Sequence, residues 1–488
     1  MLRTSNEFRE AFRAPCVRES PAGLLSGIRI SKMSQASQSA VLFQLGAFSS
    51  VRMRQIGFSL ADQALAVGGM FLANVALART QSKEEYGIFA LSYSVFTFFA
   101  GLHNGAILET YTVYGSGRYN ARFAEYARLL WRSNGGLGLF LTAAISTVWG
   151  ALYWAKPALA SPTILGLAVA CGFLLTGSFV RRTFYIRRRP DLAARFSLIF
   201  FATCAALLWL AIHVQILSGF TVFAIAAVAW IVAAIFLTRE LPGSAAAGDS
   251  FTDGEPGYWS EHWKYSRWVL VTALVFQLTN QMYYWLSAGI LSVKETGDLR
   301  AMYNLVGPVD QVLIAMSFLV LPMMSRRAAL RGVAGVLPVW KAYCAGSLVV
   351  TGGFAACVNL VGKPVMHFLY AGKFDDVAPL FGMLALLPVV MGIGNSINAA
   401  LKAMEKPKLV FYAYVCSGST TVLLGAPLVI HFGLRGVVYG LLISAAAYTA
   451  SLAAFFLWIV TSRASERPAA LAREQVPCIA EQKPGSGR

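Results

Sequence analysis

Charged side chains are scarce in this sequence. Only 13% of its 488 residues are Asp, Glu, Lys or Arg, and 57% are hydrophobic, whereas an ordinary globular protein has about 25% charged residues. The mean hydropathy is +0.59. Because such a chain cannot cover its own surface with polar groups, its solvent must be lipid. The composition therefore excludes a soluble, multidomain protein.

Motifs of known enzyme classes are also missing. The sequence has no Walker loop, no GxSxG and no HExxH, and its five histidines are scattered. Its seven cysteines show neither CxxC nor metal-ligand spacing, which argues against a disulfide framework or a metal site. We therefore predict a protein that is not an enzyme and needs no cofactor. Without a P-loop, any transport would depend on an ion gradient or a partner, or would run downhill.

Long hydrophobic runs dominate the rest of the chain. A helix needs about 20 apolar residues to cross the hydrocarbon core, and the sequence predicts an all-α integral membrane protein with about twelve such spans. The predicted spans are 55–78, 86–110, 129–154, 160–180, 191–213, 217–237, 266–291, 299–322, 335–360, 376–400, 409–430 and 436–460.

A polar break after the sixth span divides the chain. It contains the segment LPGSAAAGDSFTDGEPG and separates two sets of six spans. The predicted organisation is a polar, basic and disordered arm (1–54), a six-helix bundle (55–237), a cytoplasmic linker (238–265), a second six-helix bundle (266–460) and a disordered cytoplasmic tail (461–488).

Basic residues give the chain a net charge of +18, which in a soluble protein would suggest nucleic-acid binding. Here the large majority of the 41 Lys and Arg residues fall in the arm, the tail and alternate loops. This asymmetry is typical of cytoplasmic loops. We predict a multi-pass protein of a bacterial inner membrane with both termini in the cytoplasm, with membrane lipids and no nucleic acid among its partners.

The two halves carry related sequences. The first span opens with FSLADQ from Phe58 and the seventh with FQLTNQ from Phe276, so that Asp62 corresponds to Asn280. Acidic segments follow both spans, KEEYG after Ser82 and KETGD after Val293. These similarities predict a parallel repeat related by an axis along the membrane normal. Chance similarity between two apolar helices is the alternative.

Polar residues inside the spans are the candidates for function, because an acidic group at mid-membrane costs about 2.5–3.5 kcal/mol on insertion scales. Asp62, Asp310 and Glu109 are the strongest of these candidates. The seventh span carries a polar stripe with i, i+3, i+4, i+7 spacing, formed by Gln277, Asn280, Gln281 and Tyr284. The alternative is that the amides only join helices by hydrogen bonds. The predicted cavity residues are Asp62, Gln63, Asn74, His103, Asn104, Gln277, Asn280, Gln281, Tyr284, Asn304, Asp310, Gln311, Asn395 and Asn398.

Basic residues at the predicted inner ends form a second set of candidates. Arginine suits phosphate because its planar fork donates two parallel hydrogen bonds. These residues are candidates for binding a pyrophosphate head group, and contact with anionic lipid is the alternative. They are Arg128, Arg132, Arg181, Arg182 and Lys402.

The first two spans resemble those of Wzx-type polysaccharide exporters, which belong to the multidrug/oligosaccharidyl-lipid/polysaccharide (MOP) exporter superfamily. The resemblance lies in Asp62-Gln63, FLANVALART, KEEYGIFALSYSVFTFF and Gly101-Leu102. It is clearest over about 55–109, and its specificity is moderate because these exporters share few fixed residues.

The resemblance implies a MATE- and MurJ-like arrangement of two six-helix bundles around a central cavity open alternately to each side. The implied substrate is a lipid-linked oligosaccharide on undecaprenyl pyrophosphate, moved across the inner membrane for polysaccharide biosynthesis. The implied protein partners are a polysaccharide polymerase and the chain-length machinery. Tyr283, Tyr284 and Trp285 are suitable sugar partners. The sequence departs from the pattern because no span has a basic residue deep inside it, unless Arg132 or Lys402 reaches inward.

Two other functions are the alternatives to this flippase. A MATE-like, cation-coupled antiporter of drugs or metabolites would use Asp62 or Asp310 to bind a proton or sodium. A membrane-embedded glycan polymerase or ligase usually has a large catalytic loop outside the membrane. All predicted outer loops are short here, which argues against a polymerase or ligase.

Overall fold

The computed structural model describes residues 35–157, 160–237 and 257–474, and these residues are almost entirely helical. We number the helices in chain order. They are α1 (Gln35–Thr80), α2 (Lys83–Ser116), α3 (Phe123–Ala155), α4 (Pro162–Ile186), α5 (Pro190–His213), α6 (Gly219–Phe236), α7 (Tyr258–Leu286), α8 and α9 (Val293–Tyr370, divided at Gly332), α10 (Asp375–Ala403), and α11 and α12 (Pro407–Ser462, divided at Gly433, with α12 continuing to Glu474).

Ten helical segments of the described residues are long and apolar enough to cross a membrane. Two features explain the difference from twelve. The segment Pro407–Ser462 counts once although its 56 residues would measure about 84 Å as one helix, far more than the roughly 30 Å of hydrocarbon. Helix α7 is not counted, and it carries the polar stripe. The predicted all-helical membrane fold is confirmed, and the protein is a multi-pass membrane protein.

Glycines divide the two longest helical segments. Gly332 has φ 57° and ψ −148°, and Gly433 has φ 59° and ψ −137°. This region of backbone conformation is essentially open to glycine alone. The two positions therefore mark the turns between α8 and α9 and between α11 and α12.

Three helix boundaries lie outside the predicted spans. Helix α1 begins at Gln35, inside the predicted arm, and α7 begins at Tyr258, inside the predicted linker. Helix α12 continues to Glu474, inside the predicted tail. The rest of the arm, linker and tail (1–34, 238–256 and 475–488) lies outside the described residues.

Matching caps begin the second helix of each half. Ser82 accepts a hydrogen bond from the backbone N–H of Glu85, and Ser292 accepts one from that of Glu295. Both follow the Ser-x-x-Glu pattern of a capping box. Because α2 and α8 start at equivalent positions of the two halves, α1–α6 and α7–α12, the caps support the parallel repeat.

Successive helices alternate in direction, so their turns collect at two ends of the molecule. The Ser82 end contains the turns at 81–82, 156–161, 214–218, 292, 371–374 and 433, and the Arg118 end contains those at 117–122, 187–189, 332 and 404–406 together with the start of α7. The Ser82 end corresponds to the predicted outer side and the Arg118 end to the predicted cytoplasmic side.

Helix α2 joins the two halves, because it packs against both α7 and α8. Glycines allow the close contacts. A Cβ atom on Gly101 would lie 1.9 Å from the amide nitrogen of Gln277, and one on Gly105 would lie 2.9 Å from the side chain of Ala273. A larger residue at Gly105 would push α7 away, because backbone atoms of Leu270 and Val269 lie within 3.3 Å of the added Cβ, whereas at Gly101 the side chain of Gln277 would have to move. The α2–α7–α8 contact therefore positions the polar residues described next.

Candidate functional site

Asp62 lies in a buried ion pair of the first half. Its side chain is fully buried, and its carboxylate accepts hydrogen bonds from Arg181 Nη2 at 2.7 Å, Arg181 Nε at 3.1 Å and Tyr185 Oη at 2.6 Å. Ser197 Oγ donates a further bond at 2.5 Å. These donors come from α4 and α5, so the carboxylate ties three helices together.

This arrangement corrects two predictions. Asp62 does not line a cavity, because its side chain has no exposed surface and its oxygens are already paired. Arg181 is not available for pyrophosphate in this conformation, because both its Nε and one Nη donate to Asp62. The physical reason is the cost of burying a charge, which is lowered only by an opposite charge with good hydrogen-bond geometry.

Arg300 forms a cationic centre where α1, α2 and α8 meet. Its Nε donates to Asn74 Oδ1 at 3.0 Å, and its guanidinium lies 4.3 Å from the centroid of the Tyr93 ring. Asn74 is 1% exposed. Arg300 is the eighth residue of α8, so it lies about 10 Å along the helix from its start.

This position corrects one prediction. Arg300 lies at the edge of the predicted span 299–322, but it is the eighth residue of α8, so a basic residue does lie well inside a span. A sequence signal for it existed. The Ser-x-x-Glu cap at Ser292 starts α8 six residues before the predicted span, which places Arg300 in its third turn.

Tyrosine rings surround this centre, and we call them, together with Asn74 and Arg300, the Arg300 cluster. Its members come from α1, α2, α7 and α8. They are Asn74, Tyr86, Tyr93, Tyr284, Arg300 and Tyr303. Trp285, next to Tyr284 on α7, contacts α2 instead. Trp285 Nε1 donates to Ser94 at 3.0 Å, and its ring packs edge-on against Phe98 at 5.4 Å.

The polar stripe of α7 runs toward this cluster. Gln277 packs against Gly101, and Asn280 Nδ2 donates to the backbone oxygen of Phe276, one turn earlier on the same helix, at 2.9 Å. Gln281 and Tyr284 are 8% and 6% exposed. The stripe therefore faces α2 and α8 and is largely covered in this conformation.

A second charged group lies in the half of the molecule toward the Arg118 end. Arg182 donates to Asn104 Oδ1 at 3.0 Å, and the Glu109 carboxylate acts electrostatically on both Arg182 and Lys402. Glu109 and Lys402 are exposed. Glu109 directly follows a π-helical turn, Asn104–Leu108, a feature that is frequent at functional sites. Since Lys402 belongs to α10, this group spans both halves.

His103 lies beside this group and connects α2 to α3 and α4. Its Nε2 lies 2.7 Å from Asn134 Oδ1, and Asn134 Nδ2 donates to Thr176 Oγ1 at 3.0 Å. His103 is 1% exposed. The chain of hydrogen bonds is internal to the first half, which gives His103 a role in helix packing.

The remaining predicted residues are separate. Asn398 Nδ2 donates to Tyr448 Oη at 2.9 Å and holds α10 to α12. Asn304 is 8% exposed, and Gln63, Gln311 and Asn395 are half-buried. Asp310, in the middle of α8, is half-buried. Within the described ranges its carboxylate has no hydrogen-bond or ion-pair partner.

The Arg118 end has a cleft of about 270 Å³ between the α2–α3 turn and the start of α7. Arg118 donates to Glu261 at 2.9 Å, and Tyr119 donates to the same carboxylate. Burial and the neighbouring Glu261 raise the pKa of Tyr119 to about 12, so its phenol stays protonated. Arg128 and Arg132 lie further along α3, half-buried and exposed respectively.

Comparisons with known proteins identify the fold. The sequence matches no family profile, and no curated protein is a significant sequence relative. A multidrug resistance MATE family transporter of the MOP superfamily in an inward-facing conformation is similar in structure, with 13% identity, a TM-score of 0.66, and coverage of 85% of this chain and 96% of that one. A MATE family transporter in an outward-facing conformation has 12% identity, a TM-score of 0.59 and coverages of 86% and 96%.

A lipid II flippase, MurJ, in an inward closed conformation is similar as well. It has 14% identity, a TM-score of 0.65, and coverages of 81% of this chain and 86% of that one. At these identities the likeness shows the fold alone. The chain therefore has the fold shared by these MATE transporters and the lipid II flippase.

Proposed function

We propose that the protein is a flippase for a lipid-linked oligosaccharide, of the undecaprenyl-pyrophosphate type, working by alternating access. The Arg300 cluster carries the proposal. It combines a guanidinium, which suits a phosphate group, with aromatic faces, which suit sugar rings. A head group with many hydroxyls cannot cross hydrocarbon unaided, while its lipid tail can stay in the bilayer.

Cationic groups at two depths support a path for an anionic head group. Arg182 and Lys402 lie toward the Arg118 end, and Arg300 lies toward the Ser82 end. In the proposed orientation, with both termini in the cytoplasm of a bacterial cell, the substrate would meet Arg182 and Lys402 first. Arg182 and Lys402, and then Arg300, would guide the head group from the inner leaflet toward the outer leaflet.

We expect Arg300→Gln to lower flippase activity at least tenfold, because a lost charged hydrogen bond of about 1.5–3 kcal/mol corresponds to that factor or more. Arg300→Lys should keep the charge, lose the planar fork and retain intermediate activity. The measurement is the amount of lipid-linked oligosaccharide in membranes of a deletion strain complemented with each variant.

Lys294→Gln is the matched control, because Lys294 is an exposed cation six residues before Arg300 on the same helix. It should clear the accumulated glycan as the wild type does, at equal protein level. Full activity of a well-expressed Arg300→Gln variant would refute the role of Arg300. An unchanged lipid-linked pool in the deletion strain would refute the flippase function itself.

A cation-coupled antiporter is the second candidate, and one observation favours it. Asp310 is an acidic residue in the middle of a span without a partner among the described residues, and such residues mark ion pathways. If the protein is an antiporter, Asp310→Asn should abolish drug efflux and its dependence on an ion gradient.

For the flippase proposed here, we expect Asp310→Asn to leave drug sensitivity unchanged. Growth inhibition by cationic drugs in the deletion strain, with and without the variant, distinguishes the two functions. Increased drug sensitivity of the deletion strain, restored by the wild type and not by Asp310→Asn, would replace the flippase proposal with the antiporter.

A further inference from the structure

One lysine at the Ser82 end binds two carboxylates from the other half of the chain. Lys83, the first residue of α2, has its Nζ 2.9 Å from Asp298 of α8 and 2.8 Å from Asp376 of α10. The Lys83 and Asp298 side chains are 15% and 5% exposed, whereas that of Asp376 is 61% exposed. Lys83–Asp298 is therefore a nearly buried contact between the halves, and Asp376 covers it.

The backbones of α2 and α8 touch directly beneath this ion pair. A Cβ atom on Gly87 would lie 1.9 Å from the carbonyl oxygen of Val293, and one on Gly297 would lie 2.8 Å from that of Lys83. Gly87 and Gly297 are each five residues after the caps Ser82 and Ser292. The crossing is therefore symmetric between the two halves.

The ion pair breaks this symmetry. Counting from the two caps, Lys83 corresponds to Val293 and Asp298 corresponds to Ile88. The crossing has two equivalent edges, and only one of them is ionic. Because packing of the helix backbones needs no charge at either edge, the single ion pair calls for a role other than helix packing.

Other contacts between the halves lie close to the pair. Lys373 Nζ donates to the backbone oxygen of Gln81 at 2.8 Å, and Arg79 donates to that of Phe368 at 3.1 Å. Together they tie the α1–α2 turn to the α9–α10 turn. These bonds can form only while the two halves are close together at the Ser82 end.

We propose that Lys83, Asp298 and Asp376 form a latch that holds the Ser82 end closed and that must break when this end opens. In the closed form Asp298 is shielded from water and depends on Lys83 for compensation. In the open form water hydrates both groups. The loss of the ion pair is therefore offset by hydration, and the balance is close enough for the end to open and close. The latch does not depend on which substrate the protein carries.

The distance between spin labels across this end tests the latch. The labels are placed at Val214, in the α5–α6 turn, and Phe432, at the end of α11, both with exposed side chains, in a full-length protein whose seven native cysteines are replaced. Electron–electron double resonance in lipid nanodiscs then reports the distance distribution. The wild type should give mainly the short distance.

Lys83→Met should increase the population of a longer distance about tenfold, because it leaves a shielded carboxylate uncompensated in the closed form alone. Asp298→Asn, which preserves shape, should shift the distribution in the same direction and serves if Lys83→Met does not fold. Arg118→Gln is the matched control, because it removes an ion pair with Glu261 at the opposite end and should leave the short distance dominant.

Removing both charges gives a second test. The variant Lys83→Val/Asp298→Ile leaves no shielded carboxylate at this contact, so it should keep the short distance dominant, in contrast to Lys83→Met. Distance distributions of Lys83→Met and Asp298→Asn that match the wild type would overturn the latch. A charge-free variant as open as Lys83→Met would overturn the explanation that an uncompensated carboxylate opens the end.

Discussion

Arg181→Gln is expected to lower the free energy of unfolding by about 3–5 kcal/mol, because it leaves a buried charge without its partner. Asp62 is fully buried, and Arg181 donates two of its hydrogen bonds. The remaining donors, Tyr185 and Ser197, are neutral and do not balance the charge. The measurement is the melting temperature of the purified protein in detergent.

The double variant Asp62→Asn/Arg181→Gln should recover most of this loss, because no charge is then left buried. Arg189→Gln is the control. It breaks an ion pair whose side chains are 50% and 22% exposed, and such pairs contribute about 0–1 kcal/mol. A melting temperature of Arg181→Gln equal to that of Arg189→Gln would contradict the structural role of the buried pair.

The same double variant separates the two functions considered for Asp62. If the carboxylate serves structure alone, a protein that lacks both charges should fold and transport. If it binds a coupling cation, transport should be lost even though stability is regained. We expect transport to be retained, because the oxygens of Asp62 are already satisfied by Arg181, Tyr185 and Ser197.

Much of the fold could be predicted because the hydrocarbon core imposes one length and one secondary structure on every crossing. Hydrophobic runs and the alternation of basic loops indicate where the spans lie. The Ser-x-x-Glu caps at Ser82 and Ser292 indicate where α2 and α8 begin. The breaks at Gly332 and Gly433 could be placed because polar or basic residues flank both turns.

The candidate site is harder to predict from the sequence than the fold, since it depends on pairs of residues that are distant in the sequence. Asp62 was identified from its burial cost, but its partner Arg181 is 119 positions away, and no spacing rule connects them. The stripe on α7 is visible as a period of the helix, but the sequence does not show which helix covers it. The predicted span begins six residues after the start of α8, which puts Arg300 at its edge instead of in the third turn of the helix.

Gly87→Ala is expected to have the second large effect on stability. Its Cβ atom would lie 1.9 Å from the carbonyl oxygen of Val293. Since the contacted atom belongs to the backbone, no side chain can rotate away, and α2 and α8 must separate. Overpacking of this kind costs about 1–3 kcal/mol, and occasionally more. The melting temperature measures the cost.

Gly150→Ala in α3 is expected to have the opposite effect on stability. This glycine is helical, and nothing lies within 4 Å of a Cβ atom placed on it. Alanine should therefore stabilise the helix, by up to about 1 kcal/mol. Equal melting temperatures of the two variants would mean that the helices adjust without cost. If Gly87→Ala is the less stable, the crossing of α2 and α8 depends on direct backbone contact, and the ion pair of Lys83 and Asp298 lies on a surface with no room for adjustment.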